Sequence, residues 1–260
     1  MGWSWKRVAG LAFVELFVLC AASSALCAEC NLSLGWEPWE PYQYKERETL
    51  TGLDVELVSA IFERTGCTLT FVEAPWARLL TLVEHGKVAL AMGASHNQER
   101  EAYAYFSQPY RSESMRLFMR KGEAVNFPFQ TLAEFAKTPF KLGIIRGYYY
   151  GEVFKELMNS ADFKKQVLEA DDEEENYTKL LKKRIDGFVS DPFVTAAGLR
   201  NAGISDQVEM HAVVIHENDI YVIFSKNATT QEQVAQFNQA LETMKADGTY
   251  QKIIDKYLQK

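Results

Sequence analysis

Residues 91–110 read AMGASHNQEREAYAYFSQPY. The segment opens on the end of an apolar run, 88–92. It turns small and polar at Gly93, Ala94 and Ser95, then reaches Arg100 and the sequence Phe106-Ser107-Gln108-Pro109-Tyr110. A short apolar run bounded by small residues predicts a buried strand. Past its end, small residues let a ligand approach the backbone, Ser95 offers a hydroxyl, and Arg100 offers a planar fork that fits a carboxylate bidentately. Taken alone, the same residues are equally a strand, a turn and a surface arginine in an ordinary ion pair.

The elements upstream favour the first reading. Asn31–Trp36 predicts a strand. Leu53, Leu57, Val58, Ile61 and Phe62 recur at helical spacing, and Gly66 closes that helix. Thr68–Glu73, rich in β-branched and aromatic residues, predicts a second strand. Leu79, Leu80 and Val83 mark a second helix that ends at Gly86. Strand, helix, strand, helix, strand implies parallel pairing with crossovers. Ligands in such sheets bind beyond the carboxyl ends of the strands. Those ends carry Trp36-Glu37-Pro38-Trp39-Glu40-Pro41-Tyr42, Ala74-Pro75-Trp76 and Gly93-Ala94-Ser95. Three strand ends therefore bring aromatic and polar groups to one place.

Downstream, 114–121 is apolar and β-prone and carries the chain out of this first lobe. A second set of elements follows. Thr131 and Glu134 read as a capping box, 140–145 as a strand, and Arg146-Gly147-Tyr148-Tyr149-Tyr150-Gly151 as a turn before a helix through Val153, Phe154 and Leu157. A strand at 166–169 precedes the acid run 171–175, read as the solvated first turn of a helix through Tyr177, Leu180 and Leu181. A strand at 185–190 ends in Asp191-Pro192, and two strands follow at 208–215 and 220–225. Thr230 and Gln233 cap a helix through Val234, Phe237, Leu241 and Met244, Gly248 breaks it, and 250–258 is a closing helix. The expected fold is two-lobed α/β. Each lobe is a mainly parallel sheet flanked by helices, with a cleft between them. Lobe one spans 29–117 and 226–260, and lobe two 118–225. Lobe two would offer Gly147 to Tyr150 and Asp191 to the cleft.

The 260 residues are 24% charged and 47% hydrophobic, with a formal charge of −7 and no basic patch, which argues against nucleic acid as a partner. Lys6 and Arg7, an apolar run to Leu19 and small residues to Ala25 follow the order of a secretory signal peptide, 1–28, cleaved after Ala25 or Ala28. Glu15 within the run argues against a permanent anchor. The expected location is periplasmic. An oxidising compartment permits disulfides. Cys30 and Cys67 each stand at the start of a predicted strand, and if those strands are parallel neighbours the two form a disulfide. No metal-ligand spacing, nucleophile elbow or phosphate loop is present, so no metal or cofactor is expected. His85, His96, His211 and His216 are expected at the surface.

The chain resembles the periplasmic solute-binding proteins of amino-acid ABC transporters, of the family 3 type. The marks are Trp39-Glu40-Pro41-Tyr42, Gly52-Leu53-Asp54-Val55-Glu56-Leu57, Gly86-Lys87, Arg100 with Phe106 to Tyr110, Lys183-Arg184-Ile185-Asp186-Gly187, and Asp247-Gly248-Thr249-Tyr250 with Lys256-Tyr257. The resemblance covers nearly the whole chain after the signal segment. It implies that Arg100 clamps a ligand α-carboxylate with Gly93 and Ser95, that Asp191 takes the α-ammonium, and that Trp39 and Trp76 flank the ligand side chain, with Tyr42, Tyr148 and Tyr149 nearby. It implies hinge closure of a monomer, and delivery of a small carboxylate or amino acid to a permease. Trp36, Trp39 and Trp76 are alternatively lobe core, and Asp191 is alternatively only a helix cap. Two departures are Asn97, where the family has Thr, and the bulky Tyr148-Tyr149-Tyr150, where it has small hydroxyl residues. Other functions on the same scaffold are a dehydratase of prephenate-like acids, with Glu37 or Glu40 as general acid, and a sensory binding protein. Glu37 and Glu40 are otherwise solvated residues near the cleft.

Overall fold

A computed structural model describes residues 1–3 and 30–258. The apolar run read as a signal peptide and both cleavage positions lie outside the described residues. The strands are β1 (Asn31–Trp36), β2 (Tyr44–Glu46), β3 (Thr49–Thr51), β4 (Thr68–Glu73), β5 (Leu90–Ser95), β6 (Ala104–Phe106), β7 (Arg111–Arg120), β8 (Leu142–Ile145), β9 (Val167–Ala170), β10 (Gly187–Ser190) and β11 (Val208–Ser225). The α-helices are α1 (Leu53–Thr65), α2 (Trp76–Glu84), α3 (Gln98–Glu101), α4 (Leu132–Phe135), α5 (Glu152–Leu157), α6 (Ala161–Gln166), α7 (Glu173–Leu181), α8 (Pro192–Asn201), α9 (Gln231–Ala246) and α10 (Thr249–Leu258).

The main sheet runs β4-β1-β5-β11-β7-β10-β8-β9, with β6 also on β11. Its two ends are parallel triplets, β4-β1-β5 and β10-β8-β9, and each has its first strand in the middle. The two triplets are the sheets of the two lobes. Between them β7 and β11 lie antiparallel, from Ile220↔Arg111 to Val208↔Arg120. In each lobe the strand order reverses beside the first strand, and groups beyond the carboxyl ends of those strands face a common crevice.

β11 corrects one expectation. The residues His216-Glu217-Asn218-Asp219 look like a turn between two strands, because Asn and Asp favour turns. They remain extended because each pairs with β7, Glu217 with Ser114 and Asn218 with Glu113. Tertiary pairing here overrides local preference. The ladder is irregular between Met210 and His216, where pairing shifts register. Short elements that local pattern does not announce are the β2–β3 hairpin, α3, β6 and α6.

Lobe one is organised by α1, which buries Leu57, Val58, Ile61 and Phe62. Phe62 packs on Phe224 and Phe237 at ring distances of 6.3 and 5.4 Å. Gly66 closes the helix in the left-handed region at φ 74°. At its start, Gly52 has φ 123°, and a Cβ there would lie 2.2 Å from the Tyr42 carbonyl oxygen. Only glycine permits that approach. It lets the Leu53 and Asp54 amides donate to the carbonyls of Pro41 and Tyr42, which fixes the loop carrying Trp39 to Gln43. β1 and β4 are parallel neighbours, Asn31 beside Thr68, and the cysteines just before them form the Cys30–Cys67 disulfide. The Thr230–Gln233 capping box opens α9 as expected.

Lobe two has a phenylalanine core, with Phe135, Phe140 and Phe163 buried together. His211 belongs to the interior rather than the surface: its Nδ1 accepts from the Val213 amide, and its Nε2 lies 2.8 Å from the Phe127 carbonyl. His85 and His96 are exposed.

Candidate functional site

Arg100 sits just past the carboxyl end of β5, on the short helix α3. Asn97 caps that helix by accepting the Arg100 amide at 2.8 Å, so the residue that departs from the family pattern still does the capping work of a hydroxyl residue. The guanidinium is buried. Its Nη1 donates to the Ser95 carbonyl at 2.7 Å, and its Nη2 reaches across the cleft to the Gly147 carbonyl at 3.0 Å. Its carbon lies 5.4 Å from the Trp76 ring. Two of the five guanidinium N–H groups are thus engaged, both on neutral carbonyls. Among the described residues no carboxylate lies within ion-pair distance of it. Burial therefore lowers its pKa from the ordinary arginine value. A buried charge without a counter-ion is costly, and a bound anion would relieve that cost.

Glu37 follows the carboxyl end of β1, the neighbour of β5, and is buried, not solvated. Its Oε2 accepts the Trp76 amide at 2.9 Å, and its Oε1 accepts the Tyr148 hydroxyl at 2.6 Å, a contact between the lobes. Burial pushes its carboxyl up to about 7, against the opposing pull of those two donors. Glu40, by contrast, is half-buried and accepts from Asn201 at 2.8 Å.

The raised Glu37 pKa gives a pH prediction with a definite sign. The closed arrangement holds its proton above the ordinary carboxylate range. Closure is therefore favoured at low pH, and that contribution is lost as pH rises from about 4.5 through about 7. Small-angle scattering should find the ligand-free protein more compact at about pH 5.5 than at about pH 8.5, and Glu37→Gln should shrink the difference. Equal radii at the two pH values would remove Glu37 as a latch.

Arg100, Ser95, Gly93, Trp39, Trp76, Tyr148 and Tyr149 line one cavity together with Glu37 and Glu113. Gly93 has φ +83°, and a Cβ there would lie 2.9 Å from Gln43 Nε2, so the close approach of the loop requires glycine. In this closed arrangement the cavity measures about 20 Å³, room for about one water. Tyr148 lines the same space, with its ring 6.1 Å from that of Trp39. Admission of a larger solute requires the lobes to part.

Tyr42 and Asp191 do not line this cavity. They face a neighbouring open groove of about 610 Å³. Asp191 caps α8, its Oδ1 accepting the Phe193 and Val194 amides at 2.8 and 3.1 Å, while its Oδ2 lies 3.4 Å from the Tyr42 hydroxyl. Trp36 is core, with Lys45 over its ring.

Two charged residues of β7 escaped the sequence reading. Arg111 forms a buried two-pronged pair with Asp54, Nε to Oδ1 at 2.6 Å and Nη2 to Oδ2 at 3.0 Å, and its guanidinium lies 3.8 Å from the Tyr42 ring and 5.2 Å from that of Trp39. Glu113 follows on the same face of the strand, with its Oε2 3.8 Å from Arg111 Nη1 and without a hydrogen bond. A signal was available: in Arg-Ser-Glu-Ser-Met the charges occupy the positions in phase with buried Met115 and Leu117. The acid run also differs from a fully solvated turn. Asp172 caps α7, but Glu173 turns inward and accepts the Ser190 hydroxyl at 2.8 Å. Among the described residues no group of three or more His, Cys, Asp or Glu is arranged to hold a metal ion.

Comparison with known proteins matches residues 32–260 to the family described as bacterial extracellular solute-binding proteins, family 3. A probable histidine-binding protein of Campylobacter jejuni is 25% identical over 258 residues, covering 95% of each chain. An ancestral arginine-binding protein, solved bound to arginine, superposes with a TM-score of 0.74 at 25% identity, over 87% of this chain and 97% of that one. A histidine kinase sensor domain similar to periplasmic binding proteins superposes at 0.76 over 89% of this chain and 96% of that one, and at 19% identity it speaks to the fold alone.

Proposed function

The chain belongs to the bacterial extracellular solute-binding proteins of family 3, and from that premise we propose that its cleft captures a free amino acid or a closely related carboxylate outside the cytoplasmic membrane and presents it to an ABC transporter permease. The observation that carries this reading is Arg100, a buried guanidinium whose hydrogen bonds among the described residues go to carbonyls and which faces the cavity between the lobes. A carboxylate is the group that complements it in charge and in geometry. Trp39 and Trp76 offer flat apolar walls for the rest of the solute, and the acidic residues nearby suit its ammonium. The names of the histidine- and arginine-binding relatives agree with this class of solute. β7 and β11, the strands shared by both lobes, are the natural hinge for admission and closure.

The test is a thermal-shift screen of amino acids, their deaminated acids and their amides. At 100 times Kd a ligand that binds only the folded protein adds about 2.7 kcal/mol, or roughly 5–10 °C in Tm for a chain of this size. Ligand recovered unchanged after incubation separates binding from turnover. If carboxylates of every kind leave Tm unmoved while other solutes raise it, the reading is wrong.

A further inference from the structure

The hinge strands carry polar groups that neither the fold nor the carboxylate reading uses. Glu113 on β7 and Asn218 on β11 are register partners, so their side chains leave the ladder on the same side. Both present a buried oxygen without a hydrogen-bond partner, Oε2 of Glu113 and Oδ1 of Asn218. Glu113 is 7% exposed. It lines the cavity that holds Arg100, and it also lines the open groove beside it, so it stands where the two spaces meet. That groove is also lined by Asp191, Glu217 and Asp219, the last two with carboxylates that accept from Ser114 and Ser112. Arg111, the cation nearest to Glu113, is held by Asp54 through two short hydrogen bonds, so its Nη1, itself without a hydrogen bond, pairs with Glu113 Oε2 only at a long 3.8 Å. A carboxylate oxygen and an amide oxygen, both buried and both lacking donors, call for a group rich in N–H donors and positive in charge.

We propose that Glu113 and Asn218 form a cation subsite of the cleft, which takes an ammonium or a guanidinium on the same solute whose carboxylate meets Arg100. The proposal rests on the carboxylate reading and adds to it a second fixed point of opposite charge. It moves the main counter-charge for the ligand's cation from Asp191, whose oxygens serve α8 and Tyr42, to Glu113. Burial raises the Glu113 carboxyl to about 8, so the empty site holds it largely protonated at neutral pH, and a bound cation would favour its charged form.

The experiment is calorimetric titration of the parent, Glu113→Gln, Asn218→Ala and Asp191→Asn with matched probes. Arginine against citrulline isolates a side-chain cation. Arginine against 5-guanidinopentanoate isolates the α-ammonium. Agmatine and putrescine carry cations without a carboxylate. Glu113→Gln is expected to weaken the better cationic probe by at least about 30-fold while its neutral counterpart changes little, and Asn218→Ala to do the same to a smaller degree. The pair that loses its difference identifies which cation occupies the subsite. Glu113→Gln replaces a buried ionisable group at nearly constant shape, so an unchanged or raised Tm in that variant certifies its fold. Equal loss for charged and neutral probes, or a preference erased by Asp191→Asn but not by Glu113→Gln, overturns the subsite. If agmatine or putrescine binds through Glu113 and no carboxylate binds at all, the carboxylate reading fails while the subsite stands. If no probe binds, both fail.

Discussion

Arg100→Ala should bind a carboxylate solute roughly 10²–10³-fold more weakly than the parent, a loss of about 3–4 kcal/mol, because a buried charge-assisted contact is removed and the carboxylate is left desolvated. The expected size follows from the site. Arg100 is 4% exposed and lies over the Trp76 ring, so water can replace little of what the guanidinium supplies. Arg100→Lys should fall between the two, since an ammonium keeps the charge and loses the planar fork. The amide of the same solute should be indifferent to the substitution, because it brings no negative charge to the position. Stability should move less than affinity: the side chain has no ion pair to lose, only its bonds to the carbonyls of Ser95 and Gly147. The bond to Gly147 joins the lobes, so the ligand-free variant should also stand more open. Calorimetry on parent and variants measures all of this, and a Kd within about threefold of the parent's for Arg100→Ala would mean that the carboxylate sits elsewhere.

The reasons some of this was legible in the sequence, and some was not, are physical. The lobes follow from local pattern: the spacing of Leu57, Val58, Ile61 and Phe62 and the stop at Gly66 force a crossover, and a crossover makes β1 and β4 parallel neighbours. The Cys30–Cys67 disulfide then follows from adjacency. Arg100, Ser95, Trp39 and Trp76 were readable for the same reason, since they lie past strand ends that the sheet gathers in one place. Arg111 and Glu113 were not, because they lie inside a strand, where a charge is ordinarily assigned to the solvent face. Only the depth of the hinge, with β11 on one side of β7 and β10 on the other, turns that face inward. Asp191 shows the opposite limit. Asp before Pro at a helix start is a capping signal, and whether the same carboxylate also reaches a cleft depends on how the two lobes meet.

Asp54→Ala should be the most destabilising single change in the cleft, by about 3–5 kcal/mol, or roughly 10 °C in Tm. The Asp54 side chain is fully buried and that of Arg111 is 4% exposed, so removing the carboxylate leaves a guanidinium in the interior without its partner. Asp54 Oδ2 also accepts Gln43 Nε2 at 3.3 Å, and Gln43 in turn supports the Glu37 amide, so the loop that carries Trp39 loosens as well. A pair of this kind is expensive to break and inexpensive to replace: Asp54→Leu combined with Arg111→Met should recover much of the loss, because the two desolvation costs disappear together. The single variant also has a functional consequence. The nearest remaining carboxylate to Arg111 is Glu113, 3.8 Å away. Once Asp54 is gone, Arg111 should turn to Glu113 and occupy the oxygen proposed to receive the ligand's cation. Asp54→Ala should therefore lose discrimination between arginine and citrulline, although residue 54 does not line the cavity. Thermal melts and calorimetry on the single and double variants separate the two effects. A melting point within about 2 °C of the parent's would show that the Asp54–Arg111 pair does not hold the cleft together. A fall in Tm with discrimination intact would confine the pair to a structural role and leave Glu113 free to act alone.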